Sequence, residues 1–155
     1  MDKKDKKEIM YKEIDLIQNC ITRMAQNSLM VKGWLISLVA VVFALLPEKF
    51  DIYILCVVGC VIVLVFWYLD AFFLKAEKLY RMKYNWVIKH RLNSDAYIFD
   101  LNPYNENMWI RDKNKMLKTP SIGSCMFSKT LLPMYLPFII FIAIVFFGAI
   151  GKNPL

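Results

Sequence analysis

Three runs of residues almost free of charge divide this chain, and nothing else in the sequence restricts its fold as much. They are Gly33–Leu46, Ile52–Leu74 and Thr130–Ile150. The hydrocarbon core of a bilayer is about 30 Å thick, and an α-helix needs about 20 apolar residues to cross it. The third run has 21 residues and no charge, and the second has 23 if Asp70 is counted. The first has only 14 before Pro47, but Met30 and Val31 extend it past Lys32. A lysine at a helix end can snorkel to the headgroups. Runs of 10–14 residues also allow a re-entrant hairpin for the first two segments. Three spans fit the lengths better. The expectation is an all-α, polytopic membrane protein with transmembrane helices at 30–46, 52–74 and 130–150.

The charges then set an orientation. Of 20 Lys and Arg residues, seven precede the first run and eleven lie between the second and third; only Lys49 and Lys152 remain. Basic residues stay on the cytoplasmic side of a membrane. Residues 1–29 and 75–128 are therefore expected inside, and the Pro47–Asp51 turn and the C-terminus outside, in a bacterial inner (plasma) membrane. The net charge of +7 is explained by topology and by attraction to anionic lipid, so nucleic acid is not needed as a partner. The N-terminus lacks the pattern of a signal peptide, because its basic residues lead into a polar, periodic stretch.

Helical periodicity continues beyond the spans. With Lys32 as origin and 100° per residue, Met10, Ile14, Ile17, Ile21, Ala25, Ser28, Ile36, Val39 and Phe43 fall within about 60° of one line. No Pro or Gly interrupts residues 8–32. One long helix is expected, its first part (1–29) amphipathic and cytoplasmic. Around Asp70, the residues Gly59, Val63, Phe66, Leu74, Glu77, Arg81, Tyr84 and Ile88 share a stripe. The second helix should continue outside the membrane over 75–92, where "NSD" at 93–95 supplies turn residues. Together the two extensions predict a cytoplasmic helical stalk, with Asn27, Ser28, Glu77 and Arg81 as its polar positions. Residues 93–128 read as a membrane-proximal segment with one or two short helices and an aromatic surface.

Lys32 and Asp70 stand at matching depth on antiparallel neighbours, which predicts an intramembrane charge pair. An unpaired carboxylate at mid-membrane costs roughly 2.5–3.5 kcal/mol on insertion scales. The pair fixes the register of a helical hairpin; an ion or proton site is the competing reading. Gly59 and Gly148 are expected to permit close helix approach. Trp34, Trp67 and Trp109 are expected as membrane-interface aromatics.

Catalytic signatures are missing. The chain has one histidine, His90, and no HExxH, GxSxG, Walker A, GxGxxG or CxxC pattern. Cys56 and Cys60 lie one turn apart without a second pair of ligands. No enzyme activity, metal or cofactor is expected.

"RMAQNSLMVKGW" followed by "FWYLDAFFLKAEKLYR" resembles a family of small bacterial membrane proteins with three predicted spans. Its members carry N-S-x-x-x-K-G-W and F-W-x-L-D-x-x-x-L-x-x-E, here Asn27, Ser28, Lys32, Gly33, Trp34, Phe66, Trp67, Leu69, Asp70, Leu74 and Glu77. In plan the chain is also similar to the SLATT-type membrane effectors of bacterial defence systems. That second resemblance implies a homo-oligomeric effector that forms or gates a pore, in an antiphage defence module. The alternative is a non-conducting anchor or accessory subunit that recruits a cytosolic protein partner. Membrane lipids are partners in either case.

Overall fold

The computed structural model describes residues 2–45, 51–105, 110–111, 115–116 and 119–152. The fold is helical. Helix α1 runs Lys3–Leu45 and α2 runs Ile52–His90, followed by a 3₁₀ turn at Arg91–Asn93. A two-residue antiparallel ladder pairs β1, Ile110–Arg111, with β2, Lys115–Met116, in the register Ile110↔Met116 and Arg111↔Lys115. Helix α3 is Ile122–Met126 and α4 is Leu132–Lys152. Three helices, α1, α2 and α4, are long and apolar enough to cross a membrane. The expected turn at 47–51 and the last residues fall largely outside the described residues, as does Trp109.

Two compact units divide the chain: Met1–Gln26 with Phe73–Ser121, and Asn27–Phe72 with Ile122–Leu155. In the second, apolar unit, Val31, Leu35 and Val39 of α1 are buried with Leu55, Val63 and Trp67 of α2 and with Tyr135 and Ile142 of α4. Gly59 brings α2 close to its neighbours. A Cβ placed there would lie 3.1 and 3.3 Å from ring carbons of Phe43 and 3.5 Å from Ile142. Phe43 in turn meets Phe141 edge-on at 5.4 Å. At the start of α4, Pro133 falls in the first turn, where no intrahelical donor is required. Pro137 lies inside the helix.

In the first unit, Ile17 and Cys20 of α1 are buried with Ala76, Leu79 and Val87 of α2, together with the charged residues Glu13, Lys83 and Arg91.

The buried faces differ from the expected stripes. On α1, Ile17 and Val39 of the expected stripe are buried, but so are Val31 and Leu35 beside it, whereas Ile36 is 50% exposed. The inward face is rotated by roughly 75° from the line through Lys32, at 100° per residue. On α2 the expected stripe is correct through Gly59, Val63 and Asp70, which are buried. From Ala76 onward the buried set is Ala76, Leu79, Lys83 and Val87, on nearly the opposite side of the helix, and Arg81 and Ile88 are exposed. The reason is a change of neighbours. In this unit α2 is fastened to a loop: Lys83 Nζ donates to the Asn102 carbonyl at 3.0 Å and faces Asp100 at 3.5 Å.

Candidate functional site

Among the described residues the apolar unit contains one buried carboxylate, Asp70, with no exposed surface. Lys32 Nζ lies 2.8 Å from its Oδ2 and 3.0 Å from its Oδ1. Ser28, one turn before Lys32 on α1, donates its hydroxyl to Oδ1 and accepts from Lys32 Nζ at 2.6 Å. From α4, the Tyr135 hydroxyl stands 3.0 Å from Oδ2 and 3.2 Å from the Phe66 carbonyl. All three long helices therefore contribute to one polar cluster. Both carboxylate oxygens are satisfied, and the ammonium is shared between the carboxylate and Ser28.

An aromatic wall supports the phenol. Trp67 stacks on Tyr135 with ring centres 5.7 Å apart and planes 9° from parallel. Its indole N–H donates to the Met126 carbonyl at 3.0 Å, and its ring meets Phe127 edge-on. Trp67 is buried within the unit. An indole that finds an acceptor for its N–H can bury its whole ring. Trp34 is 65% exposed. Ser28 and Asn27, expected as polar positions of the extension, belong to the apolar unit, where Ser28 completes the charge pair. Glu77 and Arg81 form an i,i+4 ion pair at 2.8 Å. Gly148 has no atom of the described residues within 4 Å of an added Cβ, so it makes no close approach to them.

A second cluster, absent from the sequence-based expectations, lies in the other unit. Arg91 is fully buried. Its Nε and Nη2 donate to the two oxygens of Glu13, at 2.5 and 2.8 Å. Nη1 donates to the carbonyls of Ser94 and Ala96, and Nη2 also to that of Tyr97. The five N–H groups of the guanidinium thus have five acceptors. Glu13 also accepts the Phe99 amide at 2.8 Å. Tyr97 and Phe99 have φ of 57° and 53°, a left-handed conformation that costs side-chain-bearing residues of order 1–3 kcal/mol. Arg91 and Glu13 hold both. The Trp86 ring completes the packing, with the guanidinium carbon 5.4 Å from its centre.

Nearby, burial pushes the Asp100 carboxyl up. Hydrogen bonds from Asn105 Nδ2 at 2.7 Å and the Asn102 amide at 2.8 Å, with Lys83 beyond, more than reverse this and hold it below the usual carboxylate range. Asp95 is lowered by its hydrogen bond with Lys6 at 2.8 Å.

Neither cluster has the composition of a metal centre; among the described residues no group of three His, Cys, Asp or Glu could hold an ion. What both do is hold backbone or helices in register. Glu13 had a visible signal: a carboxylate four residues before Ile17 and seven before Cys20, on the face that is buried. Tyr135 had none, because a tyrosine near the end of an apolar run reads equally as an interface aromatic. No family model matches the chain, and no curated protein or solved structure matches it either.

Proposed function

We propose that the chain is a self-associating membrane effector in which protomers meet through α4 and a path for ions opens between protomers. The observation that carries this reading is the uncovered face of α4. Tyr135 and Ile142 are buried, whereas Ile140, Ile144 and Phe147 are 50–70% exposed. Gly148 and Gly151 lie open on the same helix. Lipid tails are as apolar as leucine, so helix association in a bilayer depends on close backbone approach at small residues. The cluster around Asp70 and the Trp67–Tyr135 stack fill the protomer at their level, which favours a path between protomers over one within them. In this reading residues 1–29 and 75–128 are cytoplasmic, the extensions of α1 and α2 form the stalk that receives a signal, and the setting is a defence module of the bacterial inner membrane.

A second reading, a non-conducting anchor, draws on the loop clamped by Arg91 and Glu13. Its exposed Phe99 and nearby Tyr104 form a built surface for a cytosolic partner. Expression in cells loaded with a membrane-potential dye separates the two. Depolarisation that is lost in Gly148→Leu, with the variant still in the membrane, supports the effector. An intact potential at high expression, also with the genomic neighbours active, replaces it with the anchor. Orientation is tested with a cysteine-free background carrying Lys152→Cys: reagent reaching it from outside the cell agrees with the proposal, and labelling only from the cytoplasm refutes it.

A further inference from the structure

One groove on the molecule has the chemistry of a ligand site and no part in the clusters above. It has a volume of about 460 Å³ and is lined by Lys3 and Lys6 from the start of α1, Ile88 and Lys89 from the end of α2, and Leu92 and Asn93 from the 3₁₀ turn. All six belong to the same unit. We propose that this groove binds a phosphate ester: an anionic head between the lysines, with its organic body resting on Ile88 and Leu92.

Three observations lead there. First, the cations are arranged unequally. Lys6 is drawn in to 16% exposure and held by Asp95 at 2.8 Å, which fixes it as a donor while cancelling its charge. Lys3 and Lys89 are exposed and have no ion-pair partner among the described residues. The groove therefore keeps about two uncompensated positive charges, matched to a phosphate group. Second, no carboxylate lines it among the described residues. Of the acidic side chains close in sequence, Asp2 accepts the Lys3 amide at 2.6 Å, Asp95 is paired with Lys6, and Asp5 is exposed outside the groove. Third, the volume lies in the range of small-ligand sites, about 300–1,000 Å³. That exceeds what a bare inorganic anion fills, and Ile88, 45% exposed, offers an apolar shelf. The Asn93 amide adds both a donor and an acceptor. A free nucleotide and a phospholipid headgroup share this chemistry.

The test uses the full chain in phosphatidylcholine nanodiscs, with lysines carrying ¹³C-methyl labels that preserve their charge. One arm adds adenosine monophosphate. The other replaces a third of the lipid with phosphatidylglycerol and adds no nucleotide. Binding moves the Lys3 and Lys89 signals while those of Lys4 and Lys7, exposed on the same helix turn but outside the groove, stay in place. A shift in the first arm identifies free phosphate, and in the second a headgroup. Lys3→Gln and Lys89→Gln should each weaken the midpoint roughly fivefold, as expected for a solvent-facing charge pair near 4 Å, and Lys4→Gln should not. Silence in both arms overturns the proposal, and so does equal movement of all four lysines, which would mark a diffuse basic surface instead of a site.

Discussion

Replacing Arg91 by methionine tests the buried cluster of the first unit most directly. The substitution keeps an unbranched apolar stem but removes five donated hydrogen bonds. Glu13 is left buried with only the Phe99 amide, and the carbonyls of Ser94, Ala96 and Tyr97 lose their shared donor. Removing one partner of a buried pair typically costs about 3–5 kcal/mol. The left-handed conformations of Tyr97 and Phe99 add strain of order 1–3 kcal/mol each, which the Glu13 bond to the Phe99 amide alone then opposes. Residues 94–99 should therefore open before the helices do. Glu13→Leu should act similarly, since it strands a guanidinium. The double variant Glu13→Leu/Arg91→Met removes both charges and should cost about 2–4 kcal/mol less than the sum. Hydrogen exchange of the full chain in nanodiscs, read by mass spectrometry over 91–100, follows this: a loss of 3 kcal/mol speeds exchange on the order of 10²-fold. Exchange within about threefold of the parent in both single variants, or strict additivity in the double, would refute the account.

Tyr135→Phe should cost about 1.5–3 kcal/mol, the value of a hydrogen bond to a buried carboxylate, whereas Tyr53→Phe should be neutral, because the Tyr53 hydroxyl is buried with no partner among the described residues; detergent-melt midpoints compare them. Gly59→Leu should cost about 1–3 kcal/mol by overpacking Phe43 and Ile142, and Gly148→Ala should leave the same melt within about 0.5 kcal/mol. Asp100, whose carboxyl is held below its ordinary 3.8, contributes stability that is complete above that pH and disappears as pH falls through the lower folded value. Asp100→Asn should flatten this part of the acid-unfolding profile, measured as exchange over residues 94–105, and an unchanged slope would remove Asp100 from the explanation.

The lengths of α1 and α2 were legible because the residues that end helices are absent where they would matter: no Pro or Gly between residues 8 and 32, and none between Leu69 and Arg91. The placement of Asp70 beside Lys32 was legible from depth, since each would otherwise be a lone charge among apolar residues. Face direction was less so. Periodicity gives the spacing of a stripe but not the neighbour that it meets, and on α2 the neighbour changes after Leu74. Lys83 sits inward because Asn102 and Asp100 come from a loop that no period describes. Arg91 was hidden for the same reason: three of its acceptors are backbone carbonyls, which every residue type carries. The bond from Trp67 to the Met126 carbonyl was not legible, because an indole satisfied by a carbonyl and one satisfied at a headgroup look alike in sequence.

The two buried carboxylates are completed differently, and the difference follows from what each environment can supply. Around Glu13 the chain leaves its helix, so a loop presents free carbonyls and a planar guanidinium can spend its fork on the carboxylate and its remaining N–H groups on that backbone. Around Asp70 every segment is helical, and helical carbonyls are engaged first within their own helices, as an apolar surrounding requires; those of Phe66 and Ser28 take only a second, longer bond, from Tyr135 at 3.2 Å and from Lys32 at 3.4 Å. Side-chain hydroxyls must then finish the shell. Ser28 and Tyr135 do so, with a lysine as a compact charge that needs fewer acceptors than an arginine. Lys32→Arg would retain the charge yet bring five donors to a place that offers the two Asp70 oxygens and Ser28. The lysine at this depth is therefore a consequence of regular backbone around the acid, just as the arginine in the other unit is a consequence of an irregular one.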